Sequence, residues 1–383
     1  MLAIVGGKIY TMEGQPLESG AVLVDEGKVV EVGENISVPQ GAETLDVAGK
    51  FVFPGFIDAH SHVGIIEEGF GVIGDDCNEI TGPITPHLRA IDAINPGDPA
   101  FQDALLGGVT TLVSSPGSAN VLGGEMVALK LYGSTVDDMI IRFPVGLKAA
   151  LGENPKRSYG KLGKTPSTRM AEAALLRETF VEAQNYLQKQ QARDLKLEAV
   201  ARVLKGEVPL RVHAHRADDI MTAVRVAQEF NLELVIEHCT EGYKVADRLA
   251  DLKIPAVIGP LLISRAKVEM RGIDIRNARA LASAGVLFAI MTDHPEVPVQ
   301  HLALSAALAV SGGLAEEEAL KAITINPATI LGLDDRIGSL KTGKDADITV
   351  FDKHPFDSQS RIEYVFINGD LVLRQATNNK KNS

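Results

Sequence analysis

The stretch Pro54-Gly55-Phe56-Ile57-Asp58-Ala59-His60-Ser61-His62 constrains this chain more than any other. It reads as a short buried strand. Alternation along a strand places Phe56, Asp58, His60 and His62 on one face. Two imidazoles on one face, two residues apart, can reach a single divalent cation, and imidazole is a common ligand for zinc and similar ions. A lone His-x-His is also found among ordinary surface and core histidines. What sets this one apart is its company: Pro54-Gly55 ahead of the strand, and three later strand ends carrying His or Asp.

The chain has 383 residues, 45% hydrophobic and 23% charged, which is enough for a large core or for two domains. Its net charge of -12 argues against nucleic acid or an anionic membrane as a partner. Two distant cysteines, Cys77 and Cys239, make no disulfide framework, so a cytoplasmic location is expected. The start, Met1 to Gly7, does not read as a signal peptide, and no apolar run approaches membrane-spanning length. The polar ending Asn378–Ser383 is expected to fray.

Taken in order, residues 1–53 read as short strands broken by Gly6-Gly7, Asp25-Glu26-Gly27 and Gly33. Residues 63–99 show little periodicity and are too long for an ordinary connection, which suggests functional loops. From Phe101 onward apolar runs alternate with helical stretches. Strands are expected at 109–113, 139–143, 210–215, 234–238, 256–260 and 286–293. Helices are expected from a Thr165-Pro166 cap to about Gln190, from Asp194 to Gly206, up to Phe230 and over 243–252. Repeated strand–helix units imply a parallel sheet, and their number suits a (β/α)₈ TIM-like barrel over 54–335 better than an open doubly wound sheet. No Gly-rich dinucleotide turn supports the latter. The strands near 347–351 and 364–369 are expected to join those of the N-terminus in a small discontinuous β-sandwich, 1–53 with 336–383, because neither half has enough apolar surface alone.

Candidate ligands fall at strand C-terminal ends, where barrel active sites lie. They are His60 and His62, His213 with His215, His238, and Asp293. Together they offer the three to five N and O donors that a catalytic metal needs.

With these residues in place, the sequence resembles the amidohydrolase superfamily of metal-dependent hydrolases nearly end to end. Pro54–His62 is similar to its first-strand motif, Val212-His213-Ala214-His215 to the fifth-strand segment, Ile236-Glu237-His238 to the sixth and Met291-Thr292-Asp293-His294 to the eighth. Gly338–Ile348 resembles the family's return into its β-sandwich. Within the superfamily the likeness is to the imidazolonepropionase-related branch.

The resemblance implies a divalent metal, zinc first among several candidates, with one or two ions per chain. His60 and His62 would bind the more buried ion, and His213 would be the fifth-strand ligand. His238 would bind a second ion or polarise substrate. Asp293 would bind metal and accept a proton from its water. Asp58 would orient a ligand histidine. Lys148 stands where two-metal members place a carboxylated lysine, with Glu125 as the competing carboxylate. His215, His294, His87 and Arg157 would face substrate, Arg157 beside Lys156 as a partner for a substrate carboxylate. Arg211 would point inward and pair with a barrel acid.

One departure matters. No glutamate follows His213 within the segment His213-Ala214-His215-Arg216, whereas imidazolonepropionase-like and deaminase-like members carry one. This favours simple hydrolysis of an amide, peptide or cyclic-amide C–N bond of a small molecule. A one-metal deaminase or imidazolonepropionase-type hydrolase on the same scaffold and a non-catalytic relative are the alternatives; all five main ligand positions being filled weighs against the last. Homo-oligomers are common for such barrels.

Overall fold

The computed structural model describes residues 1–188 and 192–375; the expected helix end near Gln190 and the Asn378–Ser383 tail lie outside them. Five strands open the chain: β1 (Leu2–Ile9), β2 (Leu17–Asp25), β3 (Lys28–Gly33), β4 (Glu43–Asp46) and β5 (Phe51–Pro54). The second sheet follows with β6 (Phe56–Ser61), β7 (Val109–Ser114), β8 (Leu122–Lys130), β9 (Ile140–Ala150), β10 (Leu210–Ala214), β11 (Leu234–His238), β12 (Ala256–Ile258) and β13 (Phe288–Ile290). The chain then returns to the first sheet with β14 (Ile348–Phe351), β15 (Ile362–Ile367) and β16 (Asp370–Arg374).

β6 to β13 form one eight-stranded sheet in sequence order. Its two ends meet: Asp293 N–H donates to His60 O at 3.2 Å, and His62 N–H donates to His294 O at 2.9 Å. The architecture is therefore mixed α/β around a nearly closed barrel sheet. Gly55 shows how tightly β6 is seated, since a Cβ there would lie 1.9 Å from Thr110 Oγ1 on β7. Every residue of β6, β10 and β11 is buried, as expected for strands covered on both faces.

The uniform run of parallel strand–helix units needs correction. β7–β8 and β8–β9 are antiparallel, while the other barrel pairs are parallel. β8 was not anticipated, and the expected short strand at 139–143 is the start of a long β9 that carries Lys148.

The helices before and between these strands are α1 (Pro99–Leu106), the single turn α2 (Val136–Met139), α3 (Glu153–Gly160), α4 (Arg169–Gln188), α5 (Leu195–Leu204), α6 (Ala217–Phe230), α7 (Ala246–Asp251) and α8 (Asn277–Ala284). Asp194 caps α5, accepting from Lys196 N–H at 2.8 Å. Thr165-Pro166 does not cap α4; the hydroxyl of Thr168 accepts from Ala171 N–H instead, and the helix begins at Arg169.

The strands of the two termini pair into one hydrogen-bonded sheet, in the order β16-β15-β14-β5-β1-β2-β3 with β4 on β1. β14 lies antiparallel to β5, so both chain ends contribute to the same ladder. Their shared core includes Ile4, Val22 and Val52 from one end and Ile348, Val350 and Phe366 from the other. Phe351 stacks on Phe56 with ring centroids 5.5 Å apart, which joins this sheet to the barrel. Among the described residues no helix is long and apolar enough to cross a membrane.

Candidate metal centre

Two groups of donors meet at the C-terminal end of the barrel. His60, His62 and Asp293 form one; His213, His215 and His238 form the other, with the nitrogen and oxygen donors of each group within 4.8 Å of one another. Asp293 Oδ1 lies 3.3 Å from His60 Nε2 and 3.4 Å from His62 Nε2. His238 brings the groups together: its ring centroid is 5.4 Å from that of His60 and 4.2 Å from that of His213.

The backbone helps. His238 and Asp293 adopt left-handed conformations, with φ of 66° and 56°. Such residues are uncommon outside glycine and collect at functional sites. At His238 the turn breaks the alternation of β11, so Glu237 and His238 both reach the interior. Glu237 has a role that its place beside His238 in the sequence does not show. Its Oε2 lies 2.8 Å from His60 Nδ1, and its Oε1 accepts from Arg211 Nε at 2.5 Å. Arg211 thus points inward and pairs with a barrel acid, as expected. Asp58 does not hold the His60 ring. Its carboxylate accepts from the Thr292 N–H and hydroxyl, beside Asp293, and from the His60 backbone N–H.

Charges here suit a cation. Burial, then the neighbouring His213, lowers the His215 pKa to about 3. Burial also pushes His213 and His238 well below the usual imidazole value, so all three rings are neutral. Burial would raise the Asp293 carboxyl, but His238, His60 and His62 outweigh it and hold Asp293 well below the usual range. At Glu237 burial is likewise overcome by Arg211 and His60, and the carboxyl stays at about 2. Neutral imidazoles and ionised carboxylates are the ligand forms a divalent metal binds. The fit is supported by donors without partners: His215 Nε2 and Glu269 Oε1 are buried and make no hydrogen bond.

Lys148 is fully buried, with Nζ 3.4 Å from His60 Nε2. Burial lowers its pKa. Glu125 does not compete for this place. Glu125 lies opposite Leu147 in the β8–β9 ladder, so alternation puts it on the face away from Lys148, and it pairs with Arg202 of α5 at 2.8 Å.

A cavity of about 220 Å³ opens beside these groups, lined by His62, Lys148, His213, His238 and Asp293. Asn154, in the segment after β9, also lines it, as do Lys267 and Cys77, which no sequence pattern marks as site residues. Three expected substrate contacts lie elsewhere. His294 is buried, accepts from Val299 N–H and faces Glu68 at 3.7 Å. Arg157 is exposed in a neighbouring groove with Lys156 and Lys161. His87 sits near Lys196 of α5. His215 is buried rather than cavity-lining; its Nδ1 lies 2.7 Å from the Thr240 hydroxyl.

A family model described as amidohydrolase family matches residues 51–372. The chain belongs to the amidohydrolase family. Its homologues in that family are hydrolases acting on C–N bonds, and the chain is an enzyme of that kind. The family generally binds divalent metals and acts on small molecules. A crystal structure of an amidohydrolase from Thermotoga maritima is 47% identical, with a TM-score of 0.96, covering 98% of this chain and 100% of that one. Amidohydrolase tasK of Hapsidospora irregularis is 30% identical over 91% of this chain; the chain spans 39% of that protein's length. An imidazolonepropionase of Mesorhizobium japonicum is 25% identical over 88% of this chain and 87% of its own.

Proposed function

We propose that this amidohydrolase cleaves an amide, peptide or cyclic-amide C–N bond of a small molecule, using one or two divalent cations, zinc first among them, at the barrel mouth. The convergence of His60, His62 and Asp293 on one point, beside a cavity of about 220 Å³, carries the reading. His60, His62 and Asp293 would hold one ion, and His213 and His238 would serve a second. When bound, the metal supplies an acidified water and polarises the scissile carbonyl.

The chain's own groups do the rest. Asp293 Oδ1, ionised and shared between His60 and His62, accepts a proton from the attacking water and returns it to the leaving nitrogen. Glu237 fixes the His60 ring through Nδ1, which leaves Nε2 free for the ion. Burial lowers the Lys148 pKa and so favours the neutral amine that adds carbon dioxide. The resulting carbamate offers two oxygens where an ammonium offers none. Residues 54–335 would carry this chemistry, and 1–53 with 336–383 would fold as the accompanying sandwich unit.

Glu269 supports a second reading. The sequence places no glutamate after His213, yet Glu269 Oε1 reaches within 3.6 Å of His215 Nε2 from the segment after β12. A carboxylate is therefore present near the fifth-strand histidines, and ring deamination by one metal is the alternative. The test is product analysis on a panel of dipeptides, N-acyl amino acids, cyclic amides and aminated rings. A new carboxylate with its amine, and no free ammonia, is the expected result. Ammonia release with the ring intact would establish the deaminase.

A further inference from the structure

The cluster around His213 holds more than a second ion needs from the two expected histidines. Each of three groups is anchored on one side and free on the other. His215 Nδ1 lies 2.7 Å from the Thr240 hydroxyl, and its Nε2 has no partner. His238 Nδ1 donates to Gly259 O at 3.0 Å, leaving Nε2 as the lone-pair nitrogen. Glu269 Oε2 accepts from Glu153 N–H at 2.8 Å, and its Oε1 has no partner. Oε1 lies 3.6 Å from His215 Nε2 and 3.8 Å from His213 Nε2. Ligand atoms at the corners of a zinc tetrahedron, with bonds of about 2.0–2.1 Å, are about 3.3 Å apart.

The surrounding backbone is shaped for this carboxylate. Gly152 has φ of 106°, and a Cβ there would lie 2.8 Å from Glu269 Oε2. The N–H of the next residue, Glu153, then holds the same oxygen. Burying a carboxylate oxygen and an imidazole nitrogen without partners is costly. A cation between them satisfies both.

We propose that His213, His215, His238 and Glu269 form a four-ligand divalent-cation site of their own, which fills without Lys148. It rests on the metal-hydrolase reading above and divides the work between two centres. Four protein ligands make a closed site, whereas three at His60, His62 and Asp293 leave a position for water. The closed site is a fixed positive charge facing the cavity, and the open one is where hydrolysis occurs.

The test loads metal-free protein with cobalt(II) by dialysis and reads equivalents by elemental analysis and coordination by visible absorption. Wild type is expected to hold two ions per chain. Glu269→Gln and His215→Asn, both close in size to the native residues, should each lose one ion together with the four-coordinate absorption. Lys148→Ala should keep that ion and its absorption. Retention of both ions with an unchanged spectrum in Glu269→Gln and His215→Asn overturns the inference. So does loss of the four-coordinate ion in Lys148→Ala alone. A single wild-type ion that His60→Asn removes and His215→Asn does not also overturns it, while the hydrolase reading stands. A folded wild type that takes up no metal overturns both.

Discussion

Two clusters of buried charge lie in this molecule, and they are built on opposite principles. Where the barrel meets the terminal sheet, Lys130 Nζ lies 2.8 Å from Asp345, 3.0 Å from Asp347 and 2.5 Å from Asn368 Oδ1. Lys28 and Arg336 also reach Asp345, at 2.5 and 3.0 Å. Every charge there has an opposite charge within the protein. At the barrel mouth, imidazoles and carboxylates crowd together, and several buried atoms have no partner. A cluster closed on itself holds parts together. A cluster left open, at similar depth, waits for something the chain does not supply. Cavity size alone misleads: a cavity of about 550 Å³ at the opposite end of the barrel is lined by Pro209, Leu232, Pro255 and Leu287 and gathers no comparable donor set.

The contrast is broken most severely at Asp293. Asp293→Asn is expected to lower kcat about 10²–10⁴-fold through loss of its proton transfer, with the thermal transition little changed. Steady-state kinetics beside circular dichroism checks this; a collapsed fold would mean that the mouth is structural too. Lys130→Ala should do the reverse. It leaves buried Asp347 without a cation, while Lys28 and Arg336 remain on Asp345, and should cost about 3–5 kcal/mol of stability by denaturant unfolding, with activity per folded molecule unchanged.

Glu237 belongs to both kinds of cluster: it pairs with Arg211, and its Oε2 lies 2.8 Å from His60 Nδ1. Glu237→Gln should reduce metal affinity or activity about 10–100-fold. Competition with a chelator reads the first directly, and wild-type affinity would show that the ring needs no such support.

A pH series sharpens the comparison further. Burial raises the carboxyl of Glu172, which accepts from Gly152 N–H, to about 7 from an ordinary value of 4.5. A raised carboxyl pKa means that folding takes up a proton between those values. This contribution to stability is present at low pH and is lost as pH rises toward 7. Glu172→Gln removes the titration. Its melting temperature relative to wild type should therefore climb between pH 4.5 and 7 and level off above. A flat difference would remove Glu172 from this account. The smallest effect is expected at Arg157, exposed outside the cavity. Arg157→Ala should change stability by no more than about 0.5 kcal/mol and leave KM for acidic substrates as it was.

Much of this was legible in the sequence because strand-end ligands sit in short local patterns. His60-Ser61-His62 and Thr292-Asp293 are visible without a fold. The unread parts depend on the third dimension. β8 was hidden because Gly123-Gly124 followed by Glu125, Met126, Ala128, Leu129 and Lys130 is poor in β-branched residues and rich in helix formers. Glu237 was passed over because strict alternation turns it away from its neighbour His238, and the left-handed turn that reverses this is not a sequence pattern. Glu269 lies in Lys267-Val268-Glu269-Met270-Arg271, with nothing to separate it from a solvated charge. Only the placement of α3 and the Gly152 turn show where its carboxylate goes.

The central claim is that the open cluster is a metal-dependent hydrolytic site. The most direct test is to strip the purified enzyme with a chelator, assay it on the C–N substrate panel, and then restore zinc, manganese or cobalt. Hydrolysis lost on stripping and recovered with one of these metals is the predicted result. Hydrolysis that persists in the metal-free enzyme, with elemental analysis showing no bound ion, would contradict it.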